Sequence, residues 1–348
     1  MAEEKPEDPR NVPWHPRRSK GLLGHREAEA RLLQALRSGK LHHAWLISGH
    51  EGIGKATLAY RFARYLSQPP SGRRVDDLNV PENSSAFRQL SAGAHPNIVT
   101  LERALVPKAK NDAVKTRKLK TEIAVDDARA AIEFMSRTSA TGGWRIVIVD
   151  AADDLNVSSA NALLKVIEEP PKQSIFLLVC HQPGRLLRTI RSRCIGLPLD
   201  ALDNETTLRV LKGLPPGAAA GDDVALTQAA ELSAGSPGRA MRLLGSKAAA
   251  AFADFLQRPK LTPGAAVEIG AVFTGRESPE DYFMFCELLS SWIAARARDA
   301  GLEGKGEALA RAHDDINSSL RQTDALNLDR RQTVTDALMR LEEALKAS

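Results

Sequence analysis

Lys55 follows three glycines at a spacing that builds a cradle for phosphate. The stretch SGHEGIGKATLA, Ser48 to Ala59, contains Gly49, Gly52, Gly54 and Lys55 in the register of a P-loop. The N–H groups of such a loop, together with the N-terminus of the helix that follows, form an anion site, and the lysine ammonium reaches the outer phosphates. A magnesium nucleotide also needs a hydroxyl on the next residue, and that residue is Ala56. Thr57 carries one, but a single step along a helix turns a side chain by about 100°, away from the metal position. The chemistry supported is phosphate binding without a properly held magnesium.

The flanking segments give the loop its setting. HAWLIS, His43 to Ser48, is a short apolar run that ends at the glycines. Lys55 to Leu66 places Leu58, Phe62 and Leu66 on one helical face. WRIVIVD, Trp144 to Asp150, and SIFLLVC, Ser174 to Cys180, read as buried parallel strands, the first ending in a carboxylate. Asn156 to Glu169 reads as a helix that Pro170 and Pro171 terminate. Strand-like and helical segments alternate through the first 200 residues, which predicts a doubly wound α/β domain with a parallel sheet. Beyond Leu199 the strand signals fade, LPPGAAAGDD (Leu214 to Asp223) reads as a connector, and the Ala/Leu/Arg-rich remainder predicts helices.

A chain of 348 residues with 26% charged and 43% hydrophobic residues is long enough for two or three domains, each with a core. It has no run of about 18 apolar residues, so no membrane-spanning helix is expected. The opening MAEEKPEDPRNVPWHPRRSK lacks the apolar centre of a signal peptide and reads as a flexible, solvated arm over residues 1–20 of a cytoplasmic protein. Cys180, Cys194 and Cys286 are widely spaced and odd in number, which argues against a disulfide framework. The net charge of +5 is concentrated. Between Arg103 and Lys120 seven basic residues face a single acid, Asp112, and the run is either a solvated loop or a contact for a phosphate backbone.

Two longer tracts resemble a known family. DAADDLNVSSANALLKVIEEPP, Asp150 to Pro171, followed by LLRTIRSRC, Leu186 to Cys194, is similar to bacterial DNA polymerase III clamp loaders, which are AAA+ proteins, and the resemblance covers about residues 20–245. It implies a RecA-like AAA+ domain over residues 21–199, a small helical lid over 200–247 and an all-α collar for oligomerisation over 248–348.

In this family Asp150 stands where a carboxylate supports magnesium, and the next residue is normally a Glu that orients water; here it is Ala151. Cys180 and His181 stand where an active ATPase offers Thr or Asn to the γ-phosphate. Arg239, in GSPGRAMRLL, matches a lid arginine that senses nucleotide. Ser192, Arg193 and Cys194 match the Ser-Arg-Cys tract, whose arginine acts in trans on a neighbouring subunit's ATP, with the serine and cysteine structural. A planar guanidinium that is always charged suits that task.

With Ala56 and Ala151 the chain is similar to the delta-prime kind of subunit, which assembles the ring without hydrolysing ATP. The resemblance implies ATP or ADP held without turnover in a site formed by Gly49, Gly52, Gly54, Lys55, Thr57, Asp150 and Arg239. The implied partners are delta and tau/gamma subunits and, indirectly, the sliding clamp and primed DNA. The chain would belong to the polymerase holoenzyme with no polymerase or significant ATPase activity of its own. Many relatives carry four zinc-binding cysteines after the P-loop helix, but Ser67 to Pro96 contains none, so no zinc is expected. A working ATPase of the tau/gamma type is the alternative, opposed by Ala56 and Ala151. A nucleotide kinase would account for Lys55 but for neither long tract.

Overall fold

The computed structural model describes every residue except 1–7, 9, 107–117, 138–141, 216, 220, 259, 275–278, 303–305, 327 and 348. The chain divides into two compact units, Met1–Ala219 with Ala234–Arg239, and Ala220–Ser233 with Ala240–Ser348.

In the first unit β1 (Ala44–Ser48), β2 (Ile98–Glu102), β3 (Arg145–Asp150), β4 (Ser174–Cys180) and β5 (Ile195–Pro198) form one sheet in the order β2-β3-β4-β1-β5, each pair parallel. Side chains alternate across it, as the two-residue period of a strand requires. Trp45, Ile47, Ile146, Ile148, Ile175 and Leu177 enter one core, and Leu46, Val147, Val149, Phe176 and Leu178 the other. Both faces are therefore apolar and both need helices. On the first lie α1 (Arg26–Arg37), α2 (Lys55–Leu66) and α3 (Ser85–Ser91), through Leu32, Leu58, Phe62 and Leu90. On the second lie α4 (Val125–Ser136) and α5 (Val157–Glu168), through Met135, Leu163 and Ile167.

The ends of α5 follow from local chemistry. The Asn156 side chain accepts from Ser159 N at 2.9 Å, and the prolines after Glu169 remove the donors a further turn would need. The sequence reading had not marked β5, because IGLP is four residues ending in a proline, tolerated only at a sheet edge. The short α6 (Arg188–Arg191) lies between β4 and β5, and α7 (Asn204–Lys212) follows β5.

The flexible arm expected over residues 1–20 is corrected for 10–20, which pack against α2. Arg61 and Arg64 are buried there, and buried guanidinium groups need acceptors. Arg64 donates to the carbonyls of Ser19 and Arg17 at 3.0 and 2.8 Å, and Arg61 to that of Lys20 at 3.0 Å. Farther along the arm, Arg10 pairs with Glu102 of β2 at 2.9 Å.

The second unit is helical. It holds α8 (Asp223–Leu232), α9 (Pro237–Leu243, whose start through Arg239 belongs to the first unit), α10 (Lys247–Gln257), α11 (Pro263–Ala271), α12 (Pro279–Leu302), α13 (Glu307–Leu326) and α14 (Arg330–Ala347). Helix α14 packs on α11 and α13, and α12 on α10 and α13. Phe252, Phe273, Tyr282 and Phe285 form an aromatic cluster in its core. Among the described residues no helix is long and apolar enough to cross a membrane.

Candidate nucleotide site and the Ser-Arg-Cys arginine

The strands run parallel, so their carboxyl ends share one edge, where open α/β sheets bind ligands. In register there, Ser48 stands beside Cys180, Asp150 beside Val179, and Glu102 beside Asp150. The glycine loop leaves β1 at this edge and enters α2. Gly49 and Gly52 have φ of +142° and +78°, which only glycine adopts freely. Space is short as well, since a Cβ on Gly52 would lie 2.5 Å from Ser236 Oγ.

Two segments brace the loop, one of them the stretch that carries Arg239. The buried His25, just before α1, hydrogen-bonds through Nε2 to Ile53 O at 2.7 Å. From the other side Ser236 Oγ donates to Glu51 O at 2.7 Å, and Gly238 N donates to Gly52 O at 3.0 Å. Arg239 N donates to Ser236 Oγ at 3.2 Å, which seats Arg239 beside the loop. Nothing local in the sequence announces these contacts, since Ser236 and Glu51 stand 185 residues apart.

The electrostatics of the site centre on Lys55 and Asp150. Lys55 is buried, and its Nζ donates to Gly49 O at 2.7 Å and His50 O at 2.5 Å. Burial pulls its ammonium down to about 8, against the support of Asp150 and Asp153. Asp150 is pushed up to about 7 by burial and by Glu102, with Lys55 opposing.

Asp153 lies on a 3-10 turn (Ala152–Asp154) just past β3, and its carboxylate reaches the end of β4. It accepts from His181 N at 2.5 Å, Gln182 N at 2.7 Å and Cys180 Sγ at 3.3 Å. Burial works to raise this carboxyl, and those donors outweigh it and hold it below the usual range. The Cys180 thiol is pushed up to about 12, mainly by burial. The strand end opposite the loop is thereby tied to Asp153.

Phosphate fits this site, and magnesium does not. Gly49, Gly52, Gly54 and Lys55 would hold the phosphates, with Arg239 beside them. The Ala56 methyl packs against the core, Thr57 follows it on α2, and Ala151 is buried. Ala56 and Ala151 carry no side-chain oxygen to offer a metal. Among the described residues no cluster of His, Cys, Asp or Glu suits a metal ion.

Asp150 also gives a pH dependence. Its folded pKa lies above the ordinary 3.8, so between about pH 4 and 7 the folded chain keeps a proton that the unfolded chain releases. Stability therefore falls as pH rises through that window. The Asp150→Asn variant should match the wild type near pH 4 and exceed it increasingly through the window, by about 2 to 4 kcal/mol near pH 8, the upper figure following from ~1.4 kcal/mol per pKa unit and the lower allowing for the neighbour that Lys55 loses. Urea midpoints at the two pH values test this, and equal differences at both would refute it.

Arg193 lies apart from this cluster in its bonding. It follows α6, its side chain is 37% exposed, and none of its polar partners belongs to the glycine loop. Ser192 Oγ donates to Thr189 O at 3.2 Å and closes the turn. Cys194 packs against the core on the α4/α5 face, and burial pushes its thiol up to about 12, so it serves packing rather than nucleophilic attack.

The basic stretch is a hairpin at its described ends, where Val106 N donates to Lys118 O and Lys120 N to Ala104 O, both at 2.8 Å. Arg103 pairs with Asp154 at 3.1 Å, and Lys118 and Lys120 are exposed. Lys108, Lys110, Lys115 and Arg117 lie outside the described residues.

A P-loop at the carboxyl edge of a parallel sheet ordered β2-β3-β4-β1-β5, with a helical unit following, defines an α/β protein of the RecA-like AAA+ class. Within that class the chain belongs to the family described as DNA polymerase III, delta subunit, whose profile matches residues 24–203, more than half of its length. It is 36% identical over 208 residues to the DNA polymerase III subunit delta' of Pseudomonas aeruginosa, covering 58% of this chain and 56% of that protein. To the subunit delta' of Escherichia coli it is 34% identical over 214 residues, 61% of this chain and 58% of that one. The Escherichia coli DNA polymerase III subunit tau is 30% identical over 192 residues, 55% of this chain and 27% of its own length. The matched span is thus little more than half of each delta' relative.

Proposed function

We propose that this chain is a non-hydrolysing subunit of a bacterial clamp-loader ring, of the delta-prime kind. It would assemble with delta and tau/gamma subunits and help place a sliding clamp on primed DNA. One combination of observations carries the reading: the chain's own site lacks magnesium ligands, while Arg193 stands exposed on a separate turn with no partner in that site. A guanidinium so placed serves a neighbour's phosphates rather than its own. The P-loop then binds ATP or ADP as a structural anion through Lys55 and the loop amides, with no turnover and no zinc. Residues 21–199, 200–247 and 248–348 act as AAA+ core, lid and collar, and the protein works in the cytoplasm.

Mixing the purified chain with tau/gamma and delta subunits and following size-exclusion elution tests the proposal. One co-eluting complex, with or without ATP, is expected. Separate elution under both conditions would overturn the assignment.

A further inference from the structure

Glu168, the last residue of α5, touches the Ser-Arg-Cys tract directly. Its Oε1 lies 2.5 Å from Arg193 Nη2. Nη1 of the same guanidinium donates to Thr189 O at 2.9 Å and lies 3.4 Å from Ser192 Oγ. We infer that Glu168 is a positioning residue for Arg193, fixing the guanidinium plane for a nucleotide phosphate presented by a neighbouring subunit. The inference rests on the trans-acting reading of Arg193 given above.

The scaffold supports it. Helix α5 is a 12-residue element anchored by the buried Leu163 and Ile167, whereas α6 is a single turn of 4 residues. An exposed arginine on so short a turn samples many rotamers. A carboxylate delivered from the firmer helix, together with the turn's own carbonyl, limits that sampling. The guanidinium has five N–H donors, so three partners leave donors over for a phosphate oxygen.

The pair adds little to the fold. Its side chains are 37% and 43% exposed, and ion pairs that open to solvent are weak. A weak pair at the surface is the kind a phosphate can share or displace. It also links two motifs that the sequence shows separately: the Glu-Glu-Pro-Pro tract begins with Glu168, the carboxylate that orients the Ser-Arg-Cys arginine.

The test uses the ring reconstituted with tau/gamma and delta subunits on primed DNA, where the served site appears as one phase of single-turnover ATP hydrolysis. Glu168→Ala should slow that phase about tenfold, the scale of a misplaced catalytic group, and leave ATP half-saturation unchanged because the arginine acts on the transition state. Glu168→Gln, which keeps an acceptor oxygen, should lose less. Adding Glu168→Ala to Arg193→Ala should cause no further loss, the mark of two residues acting through one. An unchanged or faster phase in Glu168→Ala, or an additive double variant, overturns the positioning role while a slow Arg193→Ala keeps the trans-acting role intact. If Arg193→Ala is itself at wild-type rate, both fall. Unchanged urea midpoints for each variant exclude a folding defect.

Discussion

Rings carrying Arg193→Ala should assemble and yet lose one of their ATP sites. An arginine supplied in trans contributes about 10³- to 10⁵-fold to phosphoryl transfer, or roughly 4 to 7 kcal/mol of barrier. Removing it should nearly silence the single site it serves and leave the chemistry of the others untouched. Assembly should survive, because one half-exposed side chain is a small part of any stable subunit interface. The expected phenotype is a complete complex with reduced DNA-stimulated ATP hydrolysis and poor clamp loading. Arg188→Ala, which removes a charge from the start of α6, is the control. Wild-type hydrolysis and loading by Arg193→Ala complexes would refute the trans-acting role.

The isolated chain should hydrolyse ATP no faster than about 10⁻² s⁻¹, some three orders of magnitude below an ordinary enzyme. Several independent defects combine here. Ala56 has no hydroxyl for magnesium, and its methyl is committed to the core. Ala151 cannot orient water, and the end of β4 is tied to Asp153. Restoring Ser at position 56 leaves the other defects in place, so Ala56→Ser alone should also be inactive. Phosphate release at saturating magnesium and ATP decides it: turnover near 1 s⁻¹ by the wild-type chain would mean that these residues do not limit hydrolysis.

Both predictions begin from residues visible in the sequence, but they depend on the fold to different degrees. The residues behind the second prediction are nearly all legible in the sequence. The loop lies between a buried strand and an amphipathic helix whose limits, Lys55 and Leu66, follow from apolar spacing. The missing hydroxyl and carboxylate are facts of residue type. Asp150 was legible as a carboxylate at a strand end, but its raised pKa was not, since that depends first on burial and then on Glu102 of a strand the pattern did not reveal. Nothing in the sequence marks Asp153 as the acceptor for the end of β4, 28 residues away.

By itself the sequence determined the alternating strands and helices, the phosphate cradle, the loss of the magnesium ligands and the candidate arginine. Each of these is written in residue type or in a period of two or 3.6, so neighbours along the chain suffice to read it. Tertiary structure alone decided which distant groups meet. It placed Ser236 on Glu51, His25 on Ile53, the carbonyls of the 10–20 segment on Arg61 and Arg64, and Glu168 on Arg193. Such contacts join side chains to backbone or to single charged partners across long stretches of chain. They leave no periodic trace, because a hydrogen bond requires only that one donor and one acceptor be brought together, and the packing of the sheet and its helices is what brings them.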